Sequence, residues 1–355
     1  MAPRGAESRR LVDTVAPFAV LAAVVLTAGS AGVLFAMGHS PARSAARVGP
    51  SAQAPALSPA PPPSASPEEA SPSPSTSPTP PPIAGAYIVL SAPSPNVVWA
   101  LIGNRYLYRS LDRGATWQQV HSPPGLGPNL YSEISFVSDS VGYALVPPDD
   151  CTQAAAQLFR TLDAGATWSP VSLPPVRCVG NVTFVDAAHG FASGAGQDYK
   201  AVVSRTSDGG RTWSQSTIPD PPGWVSSSRA SLDIVPIKAF GNVVLAAGAS
   251  NATVFHFRSS DSGATWTYLP TARDATPGYP NFLTPTHWLE FNSAEETTDA
   301  GQSWHSFDTD FASVVGLGAR PVFATSDVGY CANLGSVYVT IDGGAHWTVV
   351  KTSWP

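Results

Sequence analysis

The chain has 355 residues and a formal net charge of −6, and its 19 Lys and Arg residues form no basic field for holding a nucleic-acid backbone. We therefore expect no nucleic acid among its partners. Three cysteines, at positions 151, 178 and 331, are too few and too scattered for a metal cluster or a disulfide framework. We expect no metal and no cofactor, while a single disulfide bridge stays open.

The N-terminal part of the chain contains one long apolar segment. Residues 1–14 carry three arginines, and residues 15–37 carry no charged side chain. As a helix with a rise of about 1.5 Å per residue, this segment matches a hydrocarbon core of about 30 Å. We interpret residues 1–14 as a short cytoplasmic N-terminus and residues 15–37 as a transmembrane signal-anchor helix, with the remainder outside the cytoplasm. The alternative is a signal peptide cleaved near Ser44-Ala45-Ala46 and a secreted protein.

A stalk-like segment follows. Residues 38–83 are rich in Pro, Ser and Ala and offer almost nothing to pack. Such a composition predicts an extended, partly polyproline-II linker without a core of its own. We interpret it as a spacer, with a proline-rich ligand for a partner domain as the alternative.

Residues 84–355 contain six copies of one short motif, [ST]-x-D-x-G-x-[TSH]-W. An Asp that accepts hydrogen bonds from nearby backbone N–H groups and a Gly that tolerates positive φ close a tight turn between antiparallel strands. A residue repeated in every unit serves what every unit needs, so we assign the aspartates a structural role rather than catalysis or calcium binding. The six are Asp112, Asp163, Asp208, Asp261, Asp299 and Asp342. Arg109, Arg160, Arg205 and Arg258 recur three residues before their Asp, and we expect them to pair across repeats.

The motif resembles the Asp-box, or bacterial neuraminidase repeat, of β-propeller proteins. Upstream of most copies, alternating apolar residues, a polar turn and a Gly-aromatic pair predict a β-hairpin, as in residues 134–145. Spacings of 51, 45, 53, 38 and 43 residues between the aspartates are typical of propeller blades. We therefore predict an all-β, six-bladed propeller over residues 84–355 with one Asp box per blade, the fifth blade being the weakest. A seventh blade without a box is the alternative.

In such a meander the long insertions fall opposite the Asp-box turns, and insertions on one face of a repeat fold usually mark its binding side. Aromatic and charged loop residues there suit protein or carbohydrate recognition. The candidate ligand-face residues are His121, Tyr131, Asp149, Asp150, Arg177, Trp224, Arg229, Arg273 and Tyr279.

Three families carry this repeat. The sialidases resemble the chain in architecture, but their Arg-Ile-Pro motif is missing, since the first blade reads Tyr87-Ile-Val-Leu-Ser-Ala-Pro. Sortilin-type receptors resemble it in the box but have ten blades. Arg205-Thr-Ser-Asp208-Gly-Gly210-Arg-Thr-Trp213 is most similar to the exported photosystem II assembly factor-like propellers, a resemblance that implies a non-enzymatic protein-binding scaffold.

We therefore expect no catalytic residue and a monomeric, membrane-tethered recognition propeller whose ligand is a protein or a cell-surface glycan. A glycan-binding protein or glycoside hydrolase is the alternative, for which Asp149, Asp150 or Glu133 are candidate carboxylates.

Two of the cysteines are predicted to meet. Cys151 falls in the insertion of the second blade and Cys178 in the crossover to the third, so the topology places both on one face. An oxidising compartment would keep a disulfide between them. Cys331 follows Gly329-Tyr330 in a predicted strand, and we expect it to be a free, buried thiol.

Overall fold

The computed structural model describes residues 86–127, 132–148, 155–196, 198–227, 231–250, 253–272 and 278–354. These residues form six antiparallel sheets of four strands, and in every sheet the spatial order of the strands follows the chain. The prediction of a six-bladed all-β propeller is confirmed. The predicted cytoplasmic segment 1–14, anchor 15–37 and stalk 38–83 lie outside the described residues. Within the described part, no helix is long and apolar enough to span a membrane.

Each blade contributes four strands from the channel outward. Those of blades 1 to 3 are β1 Ile88–Ser91, β2 Val98–Ile102, β3 Tyr106–Ser110, β4 Gln118–Val120, β5 Glu133–Phe136, β6 Gly142–Val146, β7 Gln157–Thr161, β8 Ser169–Val171, β9 Arg177–Phe184, β10 Gly190–Ala195, β11 Ala201–Thr206 and β12 Ser214–Thr217.

Blades 4 to 6 continue the pattern, with one short helix, α1 Phe311–Val314, between the last two. Their strands are β13 Asp233–Phe240, β14 Val243–Ser250, β15 Thr253–Ser259, β16 Thr267–Leu269, β17 Asn281–Phe282, β18 Trp288–Glu290, β19 Glu295–Thr297, β20 His305–Ser306, β21 Val322–Phe323, β22 Gly329–Asn333, β23 Ser336–Thr340 and β24 Thr348–Lys351. The fifth blade has strands of only two or three residues, as its sequence led us to expect.

The core consists of six apolar clusters, one for each pair of neighbouring blades. Between blades 6 and 1, Leu90 and Val98 pack with Tyr330 and Val337. The Tyr330 hydroxyl also donates to the Pro95 carbonyl at 2.7 Å. Because each sheet is built from consecutive strands, the ring is closed by side-chain packing and not by an exchanged strand.

The Asp-box turns satisfy their own carboxylates. In the first box, Thr116 N and Oγ1 donate to the two Asp112 carboxylate oxygens at 2.8 and 2.6 Å, and Ser110 Oγ donates at 2.8 Å. Ser110 Oγ also accepts from Gly114 N at 2.8 Å, where the glycine has a φ of +88°. The same contacts recur at Asp163, Asp208, Asp261, Asp299 and Asp342.

These hydrogen bonds also favour the ionised carboxylate. In the third box, the side-chain bond from Thr212, followed by its backbone amide, lowers the pKa of Asp208 to about 2. Each Asp is therefore engaged inside its own turn.

Arginines three residues before the box aspartates join neighbouring blades. Arg109 donates to the Asp139 carbonyl of the next blade at 3.1 Å, and Arg160 donates to the Ala187 carbonyl at 3.0 Å. Both guanidinium groups lie 5.5 Å from an aromatic ring centre, that of Trp99 or of Tyr143. The expected pairing across blades is confirmed for these two arginines.

The contacts of the boxes define two faces of the ring. Each box donates a backbone hydrogen bond to the turn between the first two strands of its blade, as Ala164 N does to the Ser140 carbonyl at 2.8 Å. The box turns and first-hairpin turns therefore share one face, which we call the Asp-box face. The loops between the second and third strands and the blade-to-blade connections lie on the opposite face, here called the crossover face.

Candidate functional site

The first strand of every blade lines the central channel and runs toward the Asp-box face, so its first residue lies at the crossover face. The channel opening there, which we call the channel mouth, is ringed by the residues where these strands begin. A charged or aromatic residue stands at or just before the start of this strand in every blade: Tyr87 (blade 1), Glu133 (blade 2), Arg177 (blade 3), Asp233 (blade 4), Tyr279 (blade 5) and Arg320 (blade 6).

Three of these residues occupy equivalent places in their blades. Glu133, Tyr279 and Arg320 each precede by three residues the inner-strand phenylalanine, at positions 136, 282 and 323, that pairs with the second strand. Asp233 begins β13 opposite Ala249, two residues nearer the crossover face than the blade-4 equivalent of Leu145, the partner of Glu133. Because the ring repeats one backbone, equivalent positions are brought to the same height around the channel.

Contacts across the channel link alternate blades. Lys238 Nζ of blade 4 donates to the Phe323 carbonyl of blade 6 at 3.3 Å. Arg320 of blade 6 interacts electrostatically with Asp233 of blade 4 and Glu133 of blade 2. Since another blade intervenes between each of these pairs, the charges meet through the channel. The Arg320 guanidinium also lies 4.4 Å from the centre of the Tyr279 ring.

The protein around the mouth shifts the ionisation of its carboxyl groups. Burial raises the pKa of Glu133 to about 7; the positive charge of Arg320 opposes this shift and the negative charge of Asp233 adds to it. Burial also raises the pKa of Asp233, again opposed by Arg320. Yet Glu133 is only half-buried and Asp233 is exposed. Groups that are surrounded by protein but reached by solvent are those expected to line a channel.

Two other groups near the channel respond to burial. Burial lowers the pKa of Lys238, and it raises the pKa of the Tyr279 hydroxyl, with Asp233 adding to that shift and Arg320 opposing it. Within the described residues, the side chains of Glu133 and Asp233 form no hydrogen bond and no ion pair. The side chains described at the mouth thus include two carboxyl groups without a direct partner and the Arg320 guanidinium, which stacks on Tyr279.

The candidate ligand-face residues separate into three groups. Tyr279 lies at the mouth. Arg177 is the first residue of β9 and pairs with Ala195, two residues beyond the partner of Asn181, so its main chain lies nearer the crossover face than the level of Tyr279. Tyr131, Asp149, Asp150, Arg229 and Arg273 lie outside the described residues.

Two other candidates lie away from the mouth. Trp224 packs on Phe255 of blade 4, with ring centres 5.6 Å apart. His121 follows β4, where its carbonyl accepts from Trp168 Nε1 at 3.0 Å and its Nδ1 lies 3.3 Å from the Ala166 carbonyl of the second Asp box. Its contacts are therefore with the neighbouring blade, not with the mouth.

Sequence reasoning missed Asp233, Arg320 and Lys238 as site residues and considered Glu133 only as a hydrolase carboxylate. A signal was present for two of the mouth residues. Each of Glu133 and Arg320 stands three residues before an inner-strand phenylalanine, where Asn181 stands in the third blade. A repeat motif is made of residues that every blade shares, whereas a site is built from residues that differ at a shared position.

The cysteines are described in part. Cys178, the second residue of β9, is disulfide-bonded, and Cys331 in β22 is free and buried. Burial raises the pKa of the Cys331 thiol to about 12. Cys151 lies outside the described residues, so its pairing with Cys178 stays a prediction. No three His, Cys, Asp or Glu side chains of the described ranges converge as a metal-binding group.

A second concave feature lies on the rim between blades 2 and 3. It is lined by Arg160, Leu162, Pro170, Val171, Gly209 and Arg211. Its inner arginine, Arg160, already binds the Ala187 carbonyl and stacks on Tyr143. We therefore regard this groove as a consequence of blade packing and the channel mouth as the better candidate site.

Comparison with known proteins gives a family match over part of the chain. The profile of the family "Photosynthesis system II assembly factor YCF48" matches residues 161–312. The photosystem II assembly lipoprotein Ycf48 of Synechococcus sp. (strain CC9902) is 26% identical over 204 residues, which cover 54% of this chain and 53% of that protein. A xyloglucanase of Paenibacillus sp is 29% identical over 149 residues, covering 42% of this chain and 13% of the enzyme. The chain thus spans about half of one curated relative and a small part of the other.

Solved structures with similar chains include YCF48 bound to D1 peptide, at 15% identity and a TM-score of 0.46, covering 76% of this chain and 82% of that one. YCF48 from Cyanidioschyzon merolae is 18% identical with a TM-score of 0.46, covering 75% of this chain and 85% of the other. The resemblance inferred from the Asp-box motifs is confirmed by the family profile and the Ycf48 relative. The chain is a six-bladed Asp-box β-propeller whose residues 161–312 are similar to the photosystem II assembly factor YCF48 family.

Proposed function

We propose that this protein is a non-catalytic recognition scaffold that binds a partner protein at the crossover face, around the channel mouth. The observation that carries the proposal is the match of residues 161–312, from the second Asp box to the start of the last crossover, to an assembly-factor family. The mouth supplies charged groups on a rigid ring of blades, an arrangement suited to recognising an extended polypeptide segment.

The proposal includes the location of the propeller. Residues 15–37 would hold the chain in the membrane, and the proline-rich residues 38–83 would present the propeller outside the cytoplasm; secretion after signal cleavage is the alternative. The support is the uncharged apolar segment and the composition of the stalk. Protease added to intact cells should then degrade the propeller while an N-terminal tag survives in the membrane fraction. Full protection of the propeller would contradict this location.

Capture of the partner tests the recognition function. The tagged chain is crosslinked in its native membrane and retained proteins are identified by mass spectrometry. Matched baits are a Glu133→Gln/Arg320→Gln double variant and Asp139→Asn, which changes an exposed acid at the first-hairpin turn of blade 2 on the Asp-box face. A partner held by the wild type and Asp139→Asn but lost from the double variant supports the proposal. A partner retained equally by all three baits would place binding elsewhere.

A glycoside hydrolase is the second candidate, and one observation favours it. Glu133, with a pKa of about 7, shares the channel mouth with Asp233, and glycosidases combine a protonated with an ionised carboxyl group. We expect no hydrolysis of sialosides or common glucans, because the Arg-Ile-Pro segment of the sialidases is missing and carboxylates are sparse, with only four glutamates after residue 83. Turnover above background that disappears in Glu133→Gln, Asp149→Asn or Asp150→Asn would instead establish the hydrolase.

A further inference from the structure

Two leucines project from the crossover face of blade 6. Leu334, in the turn between β22 and β23, is 84% exposed, and Leu317, in the connection between α1 and β21, is 61% exposed. A hydrogen bond joins their loops, since Asn333 Nδ2 donates to the Val315 carbonyl at 2.7 Å. We call Leu317 and Leu334 the leucine patch. Neither side chain belongs to a core cluster of the described residues, so packing of the blades does not account for them.

The backbone at Leu334 is unfavourable for a leucine. Asn333 and Ser336 pair across the hairpin, so Leu334 and Gly335 are the two central residues of its turn, with φ values of +48° and +82°. A two-residue turn in which both φ values are positive is of type I′, for which Asn-Gly is a favoured pair, and a bulky side chain there is an outlier. Leu334 is therefore disfavoured by its φ and gains nothing from packing, and such outliers cluster at ligand-binding sites.

The loop that carries Leu317 is held from both sides. On one side, Gly316 has a φ of +100°, and a Cβ there would lie 2.8 Å from Asn333 Nδ2, so glycine lets the loop lie against the neighbouring turn. On the other side, Gly318 N donates to Asn292 Oδ1 of blade 5 at 2.9 Å. Leu317 thus stands exposed on a fixed base. An apolar side chain that is preorganised in this way loses little conformational entropy when a partner covers it.

The charged residues that share this sector of the crossover face are basic. One comes from blade 1 and two from blade 6, and their charged groups lie 5.2, 4.4 and 5.6 Å from the centres of aromatic rings; we call Arg105, Arg320 and Lys351 the three crossover cations. No acidic side chain lies at this face in the described residues of the two blades. Asp308 and Asp310, which precede α1, interact with His346 of the sixth Asp box instead. Glu290 of blade 5 is buried and accepts from Ser293 Oγ at 2.6 Å.

These features discriminate between classes of occupant. A second copy of the chain would have to bury about 800 Å² on each partner, far more than two leucine side chains present. A flat anionic membrane would also cover the channel mouth, where the carboxylates of Glu133 and Asp233 would repel it. A short polypeptide segment needs only the patch and the cations. Such a segment meets both when an apolar side chain and a carboxylate stand next to each other in it.

We propose that the leucine patch binds one large apolar side chain of an extended partner segment, while the three crossover cations hold a carboxylate beside that side chain. This inference rests on the proposed recognition function and names what the partner presents to the crossover face, an apolar residue with an acidic neighbour. It also explains why a leucine stands where the turn favours asparagine.

The test uses the purified full-length chain in nanodiscs of phosphatidylcholine. The probe is the peptide N-acetyl-Asp-Leu-Asp-amide, and the matched control peptides are N-acetyl-Asp-Ala-Asp-amide and N-acetyl-Asn-Leu-Asn-amide. Saturation-transfer NMR measures the binding of each peptide at millimolar concentrations. We expect saturable binding of the probe and about tenfold weaker binding of the alanine peptide. The asparagine peptide should also bind more weakly, and added salt should weaken the binding of the probe but not that of this peptide.

Variants locate the site, and Leu334→Asn separates binding from folding. Because Asn-Gly suits a type I′ turn, this variant should raise the melting temperature by about 2 °C while it weakens binding of the probe about tenfold. Leu317→Ser should weaken binding similarly without raising the melting temperature. The matched control is Ile341→Ser, which removes a side chain 60% exposed on the Asp-box face of blade 6, at the box position where blades 3 and 4 carry serine. It should leave binding unchanged.

The outcomes decide in both directions, with circular dichroism verifying that each variant is folded. Equal binding of the probe by Leu334→Asn, Leu317→Ser and Ile341→Ser would overturn the inference, as would equal binding of the leucine and alanine peptides. Loss of probe binding in nanodiscs of equal parts phosphatidylcholine and phosphatidylglycerol would assign the patch to the membrane and overturn it too. If Leu317→Ser does not fold, Leu334→Asn still decides. A captured partner that the Glu133→Gln/Arg320→Gln bait loses but both leucine variants retain would refute this inference and leave the recognition function standing.

Discussion

Trp354, near the C-terminal end of the chain, closes the ring between blades 6 and 1. It is 1% exposed, packs against Tyr108 and Trp117 of blade 1 with ring centres 5.0 Å apart, and donates from Nε1 to the Gly335 carbonyl at 2.9 Å. Replacing a buried Trp by Ala costs about 3–5 kcal/mol, a range that includes the cavity left behind. The lost hydrogen bond contributes about 1 kcal/mol of this. We expect Trp354→Ala to lower the free energy of unfolding by about 4 kcal/mol.

Urea denaturation followed by far-UV circular dichroism measures this loss, and it avoids the fluorescence change that removal of a tryptophan causes by itself. Trp354→Phe keeps most of the packing and should lose only about 1–2 kcal/mol. Val349→Ala, at a side chain 45% exposed in the same blade, is the control and should change stability by less than about 0.5 kcal/mol. A loss below about 1 kcal/mol for Trp354→Ala would refute the argument that packing at this seam holds the ring closed.

Three further predictions concern the whole propeller, its thiols and its sixth Asp box. Residues 84–355, expressed alone, should fold as a soluble all-β monomer because all six blades lie in that span; aggregation on removal of residues 1–83, or a helical circular dichroism spectrum, would contradict this. Thiol counting without reduction should give one reactive group per denatured chain and none per native chain, since burial raises the pKa of Cys331 to about 12; three thiols would rule out the disulfide. In the sixth box, the hydrogen bond with Asp342, followed by the charge of that carboxylate, raises the pKa of His346. The stability that protonated His346 contributes is therefore full below the unfolded pKa of about 6.5, and it is lost as the pH rises through the folded pKa. His346→Thr should remove this decline in melting temperature on the alkaline side, and an unchanged pH profile would show that the pair does not contribute.

The blades themselves were readable from the sequence because their signals are local. In the first box the side chain of Asp112 bonds to residues at most four positions away, so the motif carries its own turn geometry. The glycine of the Gly-aromatic pair is also required by a contact with a residue close in the chain. A Cβ at Gly142 would clash with the Phe136 ring, which stacks on Trp99 of the preceding blade with ring centres 3.6 Å apart. Six repetitions of such signals determined the fold class and the number of blades.

The placement of His121 shows where local reasoning stops. Its position after the fourth strand of blade 1 suggested a residue of the binding face, and only the stagger of neighbouring blades brings it against the second Asp box. Trp224 is similar, since its loop position gave no sign that it packs on Phe255. In both cases the contact is made with another blade, and the direction of that contact depends on the twist of the whole ring.

The sequence alone therefore determined the repeat, the turn chemistry of the boxes and the six-bladed ring, because each depends on residues that are close in the chain and repeated in it. Only the tertiary structure assembled the channel mouth. Glu133, Asp233, Tyr279 and Arg320 stand in four different blades, and each is a different residue type. They interact because the closed ring brings the starts of its inner strands around one axis, and burial there shifts the ionisation of Glu133 and Asp233, which a linear chain would leave in water.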